Sequence, residues 1–319
     1  MLIIPEALIA ELVSPEDAFA AVEATFAAMA RGEAYNFPVV REALGEGRQY
    51  GFKSGLDRAG GQLGVKAGGY FPGNAARGLI NHQSSVLLFD PETGQPRAMV
   101  GGNLLTALRT AAAAAISVDR LARRDVRVLG MLGAGHQSVF QLRAVARVRQ
   151  FDRVIAWNLH PEMLDRLRLA AGELGLPFEA VPLARMVEAG VIVTITSSPA
   201  ASLMAADVAP GTHLACMGTD TRGKQEVEPA LLARATVFAD EVAQSVTIGE
   251  AQHAAAAGLI AEADIVPIGA VLTGAHPGRR SAEEITLFDG TGVGLQDLAV
   301  AAVALRRAEE RGLGLSVEV

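Results

Sequence analysis

Two hydrophobic periods share this chain. From Ser14 to Gly32 the apolar residues Phe19, Val22, Phe26 and Met29 recur on one face, the spacing of an amphipathic helix. Ser14 and Asp17 can close a capping box, Pro15 suits the first turn, and Gly32 suits the end. From Pro38 to Val100 the pattern shifts to short β-like runs broken by glycine: Gln49–Lys53, Leu63–Ala67, Ser85–Asp90 and Gln95–Val100. Pro91-Glu92-Thr93-Gly94 is a turn sequence that joins the last two runs into a hairpin. This first part reads as an antiparallel sheet preceded by a helix.

Leu104–Leu121 reads as one long alanine-rich helix. Beyond it, strands are expected at Val126–Leu132, Arg153–Trp157, Phe178–Val181, Val191–Thr196, Thr212–Met217 and Thr236–Ala239. Helices fill the gaps at Gln137–Arg149, Pro161–Glu173 and Leu183–Ala189. Such alternation implies a doubly wound parallel sheet with right-handed crossovers. Ile285–Phe288 adds a late strand that closes this part, and Val293–Arg311 a last helix expected to pack back on the first part. The fold class is therefore α/β: a Rossmann-type doubly wound sheet over 119–292, and an α+β domain over 1–118 completed by 293–319.

The most informative stretch is Val126–Ser138, VRVLGMLGAGHQS. A buried strand breaks at Gly133-Ala134-Gly135 and, after His136, a helical pattern runs from Gln137 to about Arg149. That order presents free backbone N–H groups and a helix start to a pyrophosphate. Ser138 stands where the dinucleotide motif has its third glycine, and a small residue there still allows close packing. The second strand ends at Trp157-Asn158. An acid here would select NAD and an arginine NADP. Asn158 is neither, and with no cation immediately beside it the reading leans to NAD and leaves NADP open.

Bulk properties narrow the rest. At 319 residues, half of them hydrophobic, the chain can bury a large core. A net charge of −7 argues against nucleic acid or a membrane surface as partner. No run is long and apolar enough to span a bilayer, and no lysine or arginine precedes Arg31, so the start lacks the basic pattern of a signal peptide. The single cysteine, Cys216, precludes an intrachain disulfide and fits a reducing cytoplasm. His213 and His276 are isolated and His253 lies on an alanine-rich helix, so no pair has metal-ligand spacing and no metal is expected.

Five segments occur in a telling order: LGVKAGGYFPGN around Lys66, LLTALRTAAAAA, GAGHQS, MGTDTRGKQEVEP and ITLFDGTGVGLQDLA. In order and spacing they resemble the ornithine cyclodeaminase/mu-crystallin family over nearly the whole chain. That family includes ornithine cyclodeaminases, alanine dehydrogenases, and ketimine and iminosuccinate reductases. The resemblance implies a homodimer in which a β-rich substrate domain is joined to a Rossmann domain. It implies that Arg41 and Lys66 hold a substrate α-carboxylate, that Arg109 and Thr110 lie near the cofactor phosphates and the substrate, and that Asp220 is the acid at the substrate nitrogen. It further implies cofactor contacts from Asn81, Gly133, Gly135, His136, Gln137, Ser197, Met217 and Lys224.

Elementary chemistry agrees with those roles. A guanidinium grips a carboxylate through two parallel hydrogen bonds, and a lysine with a depressed pKa can move a proton. A carboxylate beside an iminium makes its carbon a better hydride acceptor. One departure bears on the substrate. Where the family commonly has a Met-Pro pair, this chain reads Gln49-Tyr50-Gly51-Phe52-Lys53-Ser54, so Lys53 adds a cation. Asn81-His82-Gln83 adds a polar cluster in which His82 reads as structural. A pocket with Arg41, Lys66 and a further cation suits a dicarboxylic imino acid and suits ornithine poorly. The expected activity is NAD(P)H-dependent reduction of an α-imino acid to an L-amino acid, in its sharpest form iminosuccinate to L-aspartate. Ornithine cyclodeamination, alanine dehydrogenation and a non-catalytic, crystallin-like binding role are the alternatives.

Overall fold

A computed structural model describes all residues, Met1–Val319, and the chain divides into two compact units. The first comprises Met1–Arg109 with Val293–Val319, the second Thr110–Gly292. The elements of the first unit begin with β1 (Leu2–Ile4), α1 (Glu6–Leu12), α2 (Pro15–Ala30), β2 (Ala34–Asn36) and β3 (Val40–Gly45). They continue with β4 (Arg48–Asp57), β5 (Gln62–Tyr70), β6 (His82–Phe89) and β7 (Pro96–Gly101). Helix α3 (Asn103–Leu121) then leads into the second unit. There follow β8 (Val128–Leu132), α4 (His136–Val148), β9 (Arg153–Trp157), α5 (Asp165–Glu173), β10 (Phe178–Ala180), β11 (Val191–Thr194) and β12 (His213–Cys216). After these come α6 (Pro229–Arg234), β13 (Ala235–Ala239), α7 (Val242–Ile248), α8 (Gln252–Ala256), β14 (Val266–Pro267), α9 (Ile268–Leu272) and β15 (Ile285–Asp289). The chain returns to the first unit with α10 (Gly294–Arg311) and β16 (Leu315–Ser316).

Helix α2 starts as its sequence suggests. Asp17 N–H donates to Ser14 Oγ, and Ser14 N–H donates to Asp17 Oδ2 at 2.8 Å, closing the capping box. Gly32, just past the end, takes φ +72°, which a side chain would resist. The first-unit sheet runs β16-β1-β7-β6-β5-β4-β2, with β3 on β4. It is mixed rather than purely antiparallel, because β1 lies parallel to β7. Three residues are too few to show a period, so this strand and the short α1 were not legible in the pattern. Helix α10 packs on α2, β4 and β5 within this unit, as expected for the closing helix. Two glycines allow the close fit: a Cβ on Gly294 would come 2.7 Å from Ser54 N, and one on Gly64 2.8 Å from Leu298 Cδ2.

The second unit is a parallel sheet in the order β10-β9-β8-β11-β12-β15-β13-β14. Strands β11 and β15 are buried at every residue, as in a sheet covered on both faces. Leu132, Ile155, Ile192, Leu214 and Leu287 form its core. The late strand β15 lies inside the sheet, between β12 and β13, rather than at its margin. Two stretches expected as helices tighten into 3-10 turns, Pro161–Leu164 ahead of α5 and Leu183–Glu188. No helix is long and apolar enough to cross a membrane.

Candidate active site

In the second unit, the carboxyl ends of four neighbouring strands, β9-β8-β11-β12, carry the residues expected to hold a dinucleotide. After β8 the chain turns at Gly133 with φ +106°, and a Cβ there would meet Ile195 O at 2.6 Å. Gly135 caps α4, and nothing lies within 4 Å of where its Cβ would be, so the backbone borders open space. Glycine backbone bordering open space at the start of a 13-residue helix fits a pyrophosphate. Ser138 is fully buried and donates its hydroxyl to Gly135 O at 2.7 Å, which fixes the turn from below. Asn158, at the end of β9, accepts the Ala134 N–H at 3.0 Å and donates to His160 O at 2.8 Å. It thereby ties the second strand to the glycine turn. The His136 ring lies tilted against Phe140, 5.4 Å between centroids, and burial together with the Arg166 charge lowers its pKa. The Gln137 side-chain oxygen is buried without a protein partner. Ser197 is exposed in the loop after β11, and Met217 N–H bonds Thr194 O just after β12.

The loop from Gly218 to Glu228 carries Asp220. Its carboxylate pairs with Lys224 Nζ at 2.8 Å and accepts from Thr221 Oγ1 at 3.2 Å. Two buried glutamates pin this loop. Glu226 accepts from Thr194 Oγ1, Thr196 N, Thr196 Oγ1 and Gly218 N at 2.6–2.8 Å. Glu250 accepts from Thr219 Oγ1, Glu226 N and Val227 N at 2.5–2.9 Å. Burial raises the pKa of both, to about 8 for Glu250, where the neighbouring Glu226 charge adds to it. Cys216 is fully buried in β12 and burial pushes its thiol well up, which fits packing rather than reactivity.

The first unit assembles cations. Lys53 on β4 and Lys66 on β5 are direct cross-strand partners. Strand alternation puts both on the face covered by α10, and both are more than nine-tenths buried. Lys66 Nζ donates to Thr106 Oγ1 at 2.7 Å and to Asp297 Oδ1 at 3.0 Å. Arg109 Nε donates to the same Asp297 oxygen at 3.3 Å, and its Nη1 to Gln296 Oε1 at 3.1 Å. Burial lowers the Lys66 pKa to about 8; the Asp297 charge resists that shift, and the Arg109 and Arg41 charges reinforce it. Burial pushes the Asp297 carboxyl up, yet Arg109, Lys66 and Lys53 outweigh it and hold the group below the ordinary range.

The structure thus brings Lys53, Lys66 and Arg109 together around Asp297, with the half-buried Arg41 of β3 close enough to act on Lys66. Thr110, one residue past Arg109 on α3, is buried. Asn81 lies in the β5–β6 connection, accepting from Ala75 N–H at 3.1 Å and donating to Tyr70 Oη at 3.3 Å. His82 opens β6 opposite Tyr70. Asp297 and Gln296 were not singled out from the sequence. The available signal was an acid in the first turn of an otherwise apolar helix, GLQDLAVAAVAL, where burial demands a cation.

A profile of the ornithine cyclodeaminase/mu-crystallin family matches residues 4–312. The iminosuccinate reductase of Paracoccus denitrificans is 61% identical over 100% of both chains. Its crystal structure in complex with NAD+ superposes with a TM-score of 0.95, covering 100% of this chain and 99% of that one. The alanine dehydrogenase of Archaeoglobus fulgidus is 33% identical over 99% of this chain and 98% of its own. An archaeal alanine dehydrogenase dimer with bound NAD superposes with a TM-score of 0.95 at 33% identity, covering 100% and 99% of the two chains.

Proposed function

The chain belongs to the ornithine cyclodeaminase/mu-crystallin family, and from that premise we propose that it reduces iminosuccinate to L-aspartate with NADH. When bound, the dihydronicotinamide supplies the hydride that the imine Cα accepts, and the nitrogen is protonated. Arg41, Lys66 and Arg109 hold the α-carboxylate, where planar guanidinium forks and a point charge complement each other. Lys53 takes the distal carboxylate. Asp220, kept beside a cation by Lys224, stabilises positive charge on the imine nitrogen and so raises the electrophilicity of the carbon. Gly133, Gly135 and the start of α4 receive the pyrophosphate, with Asn158 at the adjacent strand end.

The observation that carries the choice of a dicarboxylate is the Lys53–Lys66 pair. Like charges directly opposite on one sheet face destabilise a fold unless something offsets them. Asp297 offers one carboxylate among three buried cations, and a substrate with a carboxylate at each end is suited to supply the balance. Ornithine would bring a distal ammonium to Lys53 instead. The test is NADH oxidation with iminosuccinate formed from oxaloacetate and ammonia, with L-aspartate as product. No oxidation under those conditions, with turnover on another imine, would overturn the reading.

We also infer a homodimer formed through the outer face of the first-unit sheet. Met99, Leu87 and Val65 align across β7, β6 and β5, and Tyr50 and Phe52 extend the apolar surface on β4. Tyr50 is 39% exposed and Phe52 and Met99 are each 42% exposed, more than isolated surface apolar residues require. The alanine dehydrogenase relative that is a dimer supports this occupant. Phe52→Glu should convert a dimer to a monomer in light scattering, and a wild-type monomer would contradict the inference. A reducing cytoplasm is the compartment we assign.

A further inference from the structure

Lys66 is held from two directions. Of the three hydrogens on its ammonium, one meets Thr106 and one Asp297, and a third is left for an incoming oxygen. Thr106 is itself fixed by donating to Gly102 O at 2.6 Å. Asp297 sits on the first turn of α10, whose position is set by the contacts of Gly294 with β4 and of Leu298 with β5. One Asp297 oxygen accepts from both Lys66 and Arg109, while the adjacent Gln296 holds a second nitrogen of Arg109. The same Gln296 oxygen accepts the Val293 N–H at 3.2 Å, so the helix start and the guanidinium share one anchor.

We propose that Asp297 is a positioning residue that binds Lys66 and Arg109 into one preformed receptor for a carboxylate. The proposal rests on the reading above that these two cations receive the substrate. A carboxylate inside a carboxylate receptor is paradoxical only if charge is counted without burial. The groups facing Lys66 are Arg41 from β3, Lys53 from β4, Arg109 from α3 and Asp297 from α10. Three of these four are cations, and together with desolvation they favour the neutral amine. Asp297 is the group that opposes them. Without it Lys66 would lose its proton at a lower pH and keep only its bond to Thr106, and Arg109 would keep only its bond to Gln296.

The chain contains three lysines, Lys53, Lys66 and Lys224, so selective labelling resolves them individually. The full-length protein, saturated with NAD+, would be prepared with lysine carrying ¹³C at Cε, and the Lys66 signal identified by its loss in Lys66→Met. Wild-type Lys66 should titrate near pH 8. In Asp297→Asn the midpoint should fall by about one pH unit or more. Succinate, used as an unreactive probe, should bind about tenfold more weakly at pH 8, and the alkaline limb of kcat/KM should move down with the Lys66 midpoint. An unmoved midpoint would overturn the proposal. The titration and succinate binding report on Asp297 even if iminosuccinate is not the substrate, so the two readings fail separately. Should Asp297→Asn not fold, Asp297→Glu keeps the charge and displaces it by one methylene. Its Lys66 midpoint should stay near wild type while KM rises about tenfold, and an unchanged KM would contradict a positioning role.

Discussion

The two units bury charge in opposite ways. The first gathers Lys53, Lys66 and Arg109 around one carboxylate, Asp297. The second buries Glu226, Glu250 and Asp289, whose hydrogen bonds come from backbone N–H groups and hydroxyls. Cationic side chains in the first unit present charge to a ligand, because a lysine has donors to spare after its structural bonds are made. In the second unit Glu226 and Glu250 are enclosed by donors from two strand ends and the Asp220 loop, and Asp289 by Ser245 and Ala251, so their acceptor oxygens are spent on shaping backbone. On the proposed reading the first arrangement receives a carboxylate, and the other holds the Asp220 loop in place.

The strongest way to break that contrast is Lys66→Met. It should lower kcat/KM for the imine by about 10³-fold, the scale of losing a charged transition-state contact, while the NADH dissociation constant stays at wild type. Equal losses in both quantities would mean that Lys66 serves the whole fold. The counterpart is Glu226→Gln, which turns one acceptor edge into a donor facing donors. It should cost about 2–3 kcal/mol in denaturant unfolding and lower kcat, yet leave succinate affinity unchanged. A tenfold weaker succinate affinity would erase the distinction.

Titration sharpens the comparison further, because the two units respond to pH with opposite signs. Glu250 and Asp289 have folded pKa values raised to about 8 and about 7, above their unfolded values of 4.5 and 3.8. Between those limits the unfolded chain has released protons that the native state retains, so stability falls as pH rises from about 4 to about 8. Lys66 is depressed from 10.5 to about 8, so its contribution to stability rises with pH across that higher window. Melting temperature should therefore be higher at about pH 6 than at about pH 8, and Glu250→Gln should flatten the difference. If substrate binding needs Lys66 charged, as proposed, it should fall about tenfold per pH unit above the Lys66 midpoint. The smallest effect expected is Ser14→Ala, about 1 kcal/mol of stability from the lost cap of α2 with no change in kinetics.

Local patterns made the fold legible wherever a segment carried its own instructions. Ser14 and Asp17 lie three residues apart and bond each other; Gly133 and Gly135 shape a turn whose strand and helix are contiguous with it. Lys66, Arg109 and Asp220 could be picked out as candidates because they sit in distinctive segments. The buried acid that pairs with the two cations could not. Asp297 is 231 residues from Lys66 and 188 from Arg109, and the apolar helix around it calls for a cation without saying which one. The pinning glutamates raise the same difficulty: Glu226 and Glu250 read as ordinary acids until two strand ends and a loop close around them. All three lysines fall in the candidate site or the Asp220 loop, and every other basic residue except histidine is arginine. Lysine is a point charge whose pKa moves readily on burial, so its restriction to these places is itself a pointer.

The central claim is that the first unit selects a substrate with two carboxylates, and Lys53→Met tests it most directly. The measurement is kcat/KM for NADH oxidation with iminosuccinate and with the monocarboxylic imine of pyruvate, for wild type and variant. Wild type should favour iminosuccinate, and the variant should lose about 10–100-fold on iminosuccinate while changing little on the monocarboxylate. A wild-type preference for the monocarboxylate, or an equal loss on both substrates in the variant, would contradict the account.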